Sequence, residues 1–256
     1  MPPANVAQNW EWIWPNTGLA CLVLARIAGV CWTAPGLTTN GLGWQYRLGL
    51  SGLLGMLIVP LVAPTIAVPS SPTSVAWAVL SEVLTGALLG WSGALILAGV
   101  RQAGDIVSAQ AGLSTSSLFD PDTGDESTPL GHFYGLFALA IFLTLDGPII
   151  LVRALIRSYR DVPPGEALIL AESATRLFEQ LGRSLELALR AAAPAAIALV
   201  LVGLLLAWLA RTAPMLPFAA LGLSIRSILG ITLIGLGLAV IAVTIAHDWR
   251  MLPWWN

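Results

Sequence analysis

The chain has 256 residues, of which 57% are hydrophobic and only 10% charged. That balance excludes an ordinary soluble domain and places the chain among integral membrane proteins. The net charge of -2 says nothing of partners, but no basic cluster with interleaved aromatics is present, which argues against nucleic acid.

All 12 basic residues are Arg, a bias that reads as GC-rich codon usage. Apolar runs of about 20 residues, enough to cross a bilayer, fall near 17–35, 48–68, 75–100, 133–157, 191–210 and 221–246. They predict an all-α protein with about six long apolar helices. Trp10, Trp12, Trp14, Trp32, Trp44, Trp77, Trp208, Trp249, Trp254 and Trp255 sit at or near run ends, as expected of interface anchors. Trp91 lies inside a run.

The segment before the first run has no basic residue, so that run is expected to persist as a span rather than be cleaved as a signal. Arg26 stands near the middle of the run. A charge there is costly and needs protein or water, and a partner, around it. Cys21 and Cys31 are ten residues apart on one predicted helix, roughly 15 Å, too far to bridge.

The third run opens a Glu82-x3-Gly86-x3-Gly90 face, which Gly93 and Ala94 extend. Small residues at this spacing let another helix approach closely. Glu82 reads either as a lock between two helices, through Arg26, or as a proton relay. The lock is the simpler reading, because no second intramembrane acid lies on the same path.

Between the third and fourth runs stands a polar insert, Arg101–Gly131. It spends about thirty residues where a few would connect two helices, a length that is usually functional. Arg101 and Asp105 stand four apart on what reads as a helical extension, to about Gln110. Asp120-Pro121 and Asp122-Thr123-Gly124 read as turns. Asp120, Asp122, Asp125 and Glu126 do not match the spacing of a calcium loop.

Asp146-Gly147-Pro148 breaks the fourth run. The Asp146 carboxylate reads as a cap on the helix restarted by Pro148, against the alternative of a proton or substrate contact. The segment 163–190 is unlike the rest of the chain. Pro164 and Gly165 suit a helix start. Glu172/Arg176, Glu179/Arg183 and Glu186/Arg190 are each four apart with Glu first. The helix is solvated, packs on neighbouring copies or partner helices, or does both. With Arg157 and Arg160, its arginines put this connection in the cytoplasm. An even number of spans would then put both termini there too, and the insert outside.

No nucleophile motif, phosphate loop or zinc-ligand pair is present, and His132 and His247 lack partners for a metal site. No enzyme activity, cofactor or metal is expected.

Taken together, the landmarks resemble the FliR/SpaR/YscT family of type III export-gate membrane proteins. The resemblance is carried by Arg26-Ile27-Ala28-Gly29, Ala34-Pro35-Gly36, Arg47 and Pro60, then by Glu82, Gly86 and Gly90. It continues through Ala103-Gly104, Gln110-Ala111-Gly112, Asp120-Pro121 with Gly124, and Phe142 to Gly147. Ser158-Tyr159, Pro163-Pro164-Gly165 and Ala210-Arg211 with Pro214 complete it. Departures are Pro148, where the family often has His, and Met215 and Pro217 in place of Gln and Asn. Leu145-Asp146-Gly147 leans toward the flagellar branch.

The resemblance implies a non-enzymatic, pore-forming subunit, with kinked helical hairpins packed in a helical export gate raised above the normal bilayer plane. It implies one export-gate membrane domain over 1–256, with 1–160 like a FliP-type element and 161–256 like a FliQ-type hairpin. Implied partners are FliP-like and FliQ-like gate subunits, FlhB-like and FlhA-like export proteins, unfolded substrates and membrane lipid. The implied location is the bacterial inner membrane, in the flagellar basal body or an equivalent secretion apparatus.

The implied plug is the loop of about 112–124: Gly112, Leu113, Ser114, Thr115, Ser116, Ser117, Leu118, Phe119, Asp120 and Pro121. Arg26, Glu82, Gly86, Gly90 and Asp146 are the polar and packing positions inside apolar runs. Arg211 and Pro214 mark the hairpin tip. The alternative reading is a proton-coupled secondary transporter of a small solute, using Glu82 and Asp146.

Overall fold

The computed structural model describes residues 17–37, 43–62, 72–113, 128–164, 170–212 and 218–250. Every regular element among them is an α-helix: α1 Thr17–Thr33, α2 Trp44–Val62, α3 Pro72–Ala111, α4 Pro129–Thr144, α5 Gly147–Asp161, α6 Leu170–Thr212 and α7 Phe218–Arg250. The all-α expectation holds.

The expected six spans are not reached. Among the described residues, three helices are long and apolar enough to cross a membrane: Trp44–Val62, Thr73–Ala111 and Leu177–Thr212. They are four if α4 and α5, broken at Leu145–Asp146, count as one span. Gly18–Thr33 and Gly222–Gly235 are shorter apolar stretches. The even-span argument for the sidedness of the termini then holds only if α4 and α5 count as one span.

Two helices overshoot a bilayer. α3 has 40 residues and α6 has 43, about 60 and 65 Å at the helical rise, against a hydrocarbon core of about 30 Å. The polar ends of both account for the excess. α3 carries Arg101 and Asp105 beyond its apolar part, which fulfils the helical extension expected there. α6 is described from Leu170, Gly165 of the expected start lying outside the described residues, and it runs without a break from charged stripe into apolar stretch. In that stripe Glu186 pairs with Arg190 at 2.5 Å.

The chain forms two compact units of non-contiguous segments, 1–94 with 146–179 and 252–256, and 95–145 with 180–251. Two of their boundaries fall inside α3 and α6, and a third at the break between α4 and α5. The first unit buries one face of α1 (Leu19, Val23, Ile27) against Ile58 of α2 and against Leu155 and Tyr159 of α5. The second buries a stripe of α3 at Val100, Ala103, Val107 and Ala111, whose three- and four-residue spacings make one helix face. In the same unit Trp249 of α7 is fully buried, with its ring 5.2 Å from that of Phe142 of α4. It is a core residue and not the interface anchor its place in the sequence suggested. Trp32, Trp44, Trp77 and Trp208 are exposed, as an interface position requires.

Much apolar surface stays uncovered. On α2, Leu53, Met56, Leu57 and Leu61 are exposed, and on α6 so are Leu201, Leu204, Leu205 and Trp208. A water-soluble monomer rarely presents such a surface. Lipid or partner helices suit it.

Candidate functional site: a buried arginine and a clasped loop

Arg26 and Glu82 meet in the interior of the first unit, 0% and 1% exposed. The pair is a two-pronged fork. Arg26 Nε donates to Glu82 Oε2 at 2.6 Å and Nη2 donates to Oε1 at 3.1 Å. A guanidinium carries five N–H donors and no acceptor, so a buried one needs five acceptors. The remaining three lie on α5 and its end. Nη1 donates to the Ser158 carbonyl at 3.0 Å and to Ser158 Oγ at 3.2 Å, and Nη2 to the Val162 carbonyl at 3.0 Å.

The Ser158 carbonyl accepts Val162 N–H at 2.9 Å as well, whereas the Val162 carbonyl, past the last turn, has no intrahelical donor, and this end of the helix is electronegative. Arg26 thus neutralises Glu82 and caps α5 with one planar group. The Tyr159 ring lies beneath it, 4.5 Å from the guanidinium carbon. The Tyr159 hydroxyl donates to the Val23 carbonyl of α1 at 3.0 Å. One cluster therefore joins α1, α3 and α5. Nothing in it is arranged for bond making: Ser158 Oγ donates to the Leu155 carbonyl at 2.7 Å and accepts from Arg26.

The glycine face of α3 puts this pair within reach. A Cβ on Gly86 would enter the Arg26 carbonyl, one on Gly90 the Thr33 hydroxyl, and one on Gly29 the Val83 carbonyl. The two backbones touch at three glycines, as the spacing of Gly86 and Gly90 foretold.

The second feature brackets the polar insert. α3 ends at Ala111, and Gly112 follows in the left-handed region at φ 75°. Leu113 N–H reaches back to the Ser108 carbonyl at 2.9 Å and Gly112 N–H to the Ala109 carbonyl at 3.3 Å. This is the glycine helix stop that lets the chain turn sharply away. Ser114 to Ser127, which hold most of the expected plug (Ser114 to Pro121), lie outside the described residues.

The chain returns at Thr128, which opens α4. Thr128 Oγ1 accepts from Gly131 N–H at 3.1 Å, with Pro129 in the first helical position. The same hydroxyl donates to Asp105 Oδ1 at 2.6 Å, and Thr128 N–H donates to that oxygen at 3.0 Å. Gly131 leaves the space in which the Asp105 carboxylate sits, and Gly104 lets the start of α4 approach α3. Asp105 thus fastens the far end of the insert to the helix from which it departs.

Asp146 corrects its reading. It holds the N-cap position of α5 with φ 58° and ψ 27°, left-handed backbone, and its side chain makes no cap hydrogen bond. Its carbonyl accepts instead, from Ile149 N–H at 3.0 Å and Ile150 N–H at 3.1 Å. The side chain is exposed. Arg211 is exposed in the last turn of α6, and Pro214 lies outside the described residues.

The site contains residues that sequence reasoning passed over. Ser158 and Tyr159 counted only as part of a resemblance, although they complete the arginine cluster. Thr128 was readable from Thr-Pro, a cap residue before a helix-starting proline. Arg226 carried a plain signal, a charge inside the last apolar run. Its head lies against Gly203 of α6.

The model of bacterial export proteins, family 1, matches residues 18–252. The chain is 30% identical over 244 residues to a flagellar biosynthetic protein FliR of Pectobacterium carotovorum subsp. carotovorum, covering 93% of this chain and 89% of that protein. It is 27% identical over 224 residues to the protein of the same name from Escherichia coli (strain K12), covering 88% and 85%. A surface presentation of antigens protein SpaR of Shigella flexneri is 30% identical over 156 residues, 60% of this chain and 59% of that protein. The match takes in both the buried Arg26–Glu82 pair and the clasped insert, and the chain belongs to the family of bacterial export proteins, family 1.

Proposed function

We propose that this chain is a structural, pore-forming subunit of a flagellar or related type III protein export gate in the bacterial inner membrane. The observation that carries the reading is similarity along nearly the whole chain to proteins named for flagellar biosynthesis. The helices and their uncovered apolar faces suit a subunit that is completed by others. On this reading the partners are FliP-like, FliQ-like, FlhB-like and FlhA-like proteins, and unfolded chains are the cargo. The part up to about residue 160 acts as the FliP-like element and the rest as the FliQ-like hairpin.

The segment 112–124 serves as the plug. The Asp105–Thr128 clasp supports this, because it ties the insert's return to α3, the helix from which the insert departs. Irregular polar backbone is tolerable at membrane depth only where it lines a cavity or packs on protein. Deleting Ser114–Phe119 in the assembled gate raises ion leakage on this reading; unchanged conductance with assembly intact refutes the plug. The transporter alternative draws less support, since Glu82 is held by both carboxylate oxygens on a guanidinium.

A further inference from the structure

Arg226 is the only charged residue between Phe218 and Thr244, and the stretch Ala191–Ala210 of α6 holds none. It is half-buried, and a Cβ on Gly203 would enter its Nη2, so the guanidinium lies on the bare α6 backbone. Its Nε is shielded from solvent and has no hydrogen-bond partner. Among the described residues no carboxylate pairs with it. On the same two helices Leu204, Leu205 and Ile228 present exposed apolar side chains. A guanidinium with a shielded, unpaired N–H thus lies against α6, on a helix pair that presents exposed apolar side chains elsewhere on its surface.

The depth of the group narrows the choice of acceptor. Arg226 is eight residues from the start of α7 and Gly203 nine from the end of α6, both about 12–14 Å from the helix ends at 1.5 Å per residue. The head lies level with Gly203 and does not reach along the helices toward their ends, where a lipid phosphate would meet a snorkelling arginine. Three of this chain's own acids do not fit the role in a second copy: Glu82 is held by Arg26, Asp105 by Thr128, and Asp146 stands at a helix break. We propose that the α6–α7 face centred on Gly203 and Arg226 receives an apolar helix of a different subunit, whose Asp or Glu accepts the Arg226 fork. The inference rests on the reading of this chain as a subunit of a membrane assembly, and it adds the chemistry of one contact.

The test is photo-cross-linking in native membranes with the rest of the apparatus present. The cross-linker p-benzoylphenylalanine replaces Leu204 in the full chain, and in a parallel control replaces exposed Leu53 of α2. The expected result at Leu204 is one major protein adduct, mapped to an apolar helix of another subunit with an Asp or Glu within one turn. Its yield falls about tenfold in Arg226→Gln and by less in Arg226→Lys, which keeps the charge but not the fork. Replacing the partner acid by its amide lowers the yield by a like factor. Adducts only to lipid, to a second copy of this chain, or to a helix without an acid overturn the proposal. So does a yield that Arg226→Gln leaves unchanged at equal membrane levels. Protein adducts at Leu53 and none at Leu204 overturn this contact alone, whereas none at either position overturns the assembly reading as well.

Discussion

Arg26 and Glu82 stand 56 residues apart in sequence and close a two-pronged ion pair with 2.6 and 3.1 Å contacts, shielded from solvent. Removing one partner leaves the other charge uncompensated, which typically costs about 3–5 kcal/mol. Glu82→Ala and Arg26→Ala are expected to lower the unfolding midpoint in detergent sharply. Arg26→Lys does not rescue, because a single ammonium has three donors where the site presents five acceptors and a planar fork. Were Glu82 a proton carrier and not a lock, Glu82→Gln would abolish function while keeping wild-type stability. The geometry predicts a loss of stability in Glu82→Gln as well.

The glycine contacts predict opposite outcomes for one change at two places. Gly86→Ala pushes a methyl into the Arg26 carbonyl, and since backbone cannot swing aside the cost is about 1–3 kcal/mol. Gly52→Ala on α2 meets nothing within 4 Å and gains about 0.5–1 kcal/mol of helix stability. Thermal unfolding of the two purified variants distinguishes them. A neutral Gly86→Ala would mean that α1 and α3 can separate freely.

Part of this architecture was legible in the residues. Charges in apolar runs demand partners, so Arg26 and Glu82 could be matched before any coordinates. The four-residue spacing of Gly86 and Gly90 announced a close helix contact. The rest escaped for physical reasons. The carbonyls of Ser158 and Val162 are main-chain acceptors and leave no mark in a sequence. Apolar residues count alike whether they face lipid or protein, so composition overstated the spans and put Trp249 at an interface. Asp-Gly-Pro announces a helix break at Asp146, but which atom caps the next helix depends on φ. The left-handed backbone of Asp146 makes the acceptor its carbonyl and leaves the carboxylate unused.

That same backbone makes Asp146 a test of role against conformation. A left-handed residue with a Cβ costs roughly 1–2 kcal/mol, less for Asp and Asn and nothing for Gly. Asp146→Gly and Asp146→Asn are expected to fold and function close to the original, and Asp146→Val to lose about that energy. A proton-coupling carboxylate gives a different order, with Asp146→Asn inactive yet stable. Export in cells together with thermal unfolding of each variant separates the two.

The clasp between Asp105 and Thr128 gives the most direct test of the proposed plug. Asp105 Oδ1 accepts both the hydroxyl and the N–H of Thr128, and the hydroxyl in turn caps α4. Thr128→Val keeps the N–H bond and removes the hydroxyl, which costs the cap, about 1 kcal/mol. Asp105→Ala removes both bonds to the carboxylate. Because the two residues share a contact, the double variant is expected to lose less than the sum of the single ones, with a coupling of about 0.5–3 kcal/mol. If the segment between them closes the channel, each single variant lets its anchored end drift and the assembled gate leaks ions in planar bilayers, less than with Ser114–Phe119 deleted. A change confined to stability, with conductance held at the wild-type value, would leave the clasp as a helix cap alone and detach it from gating.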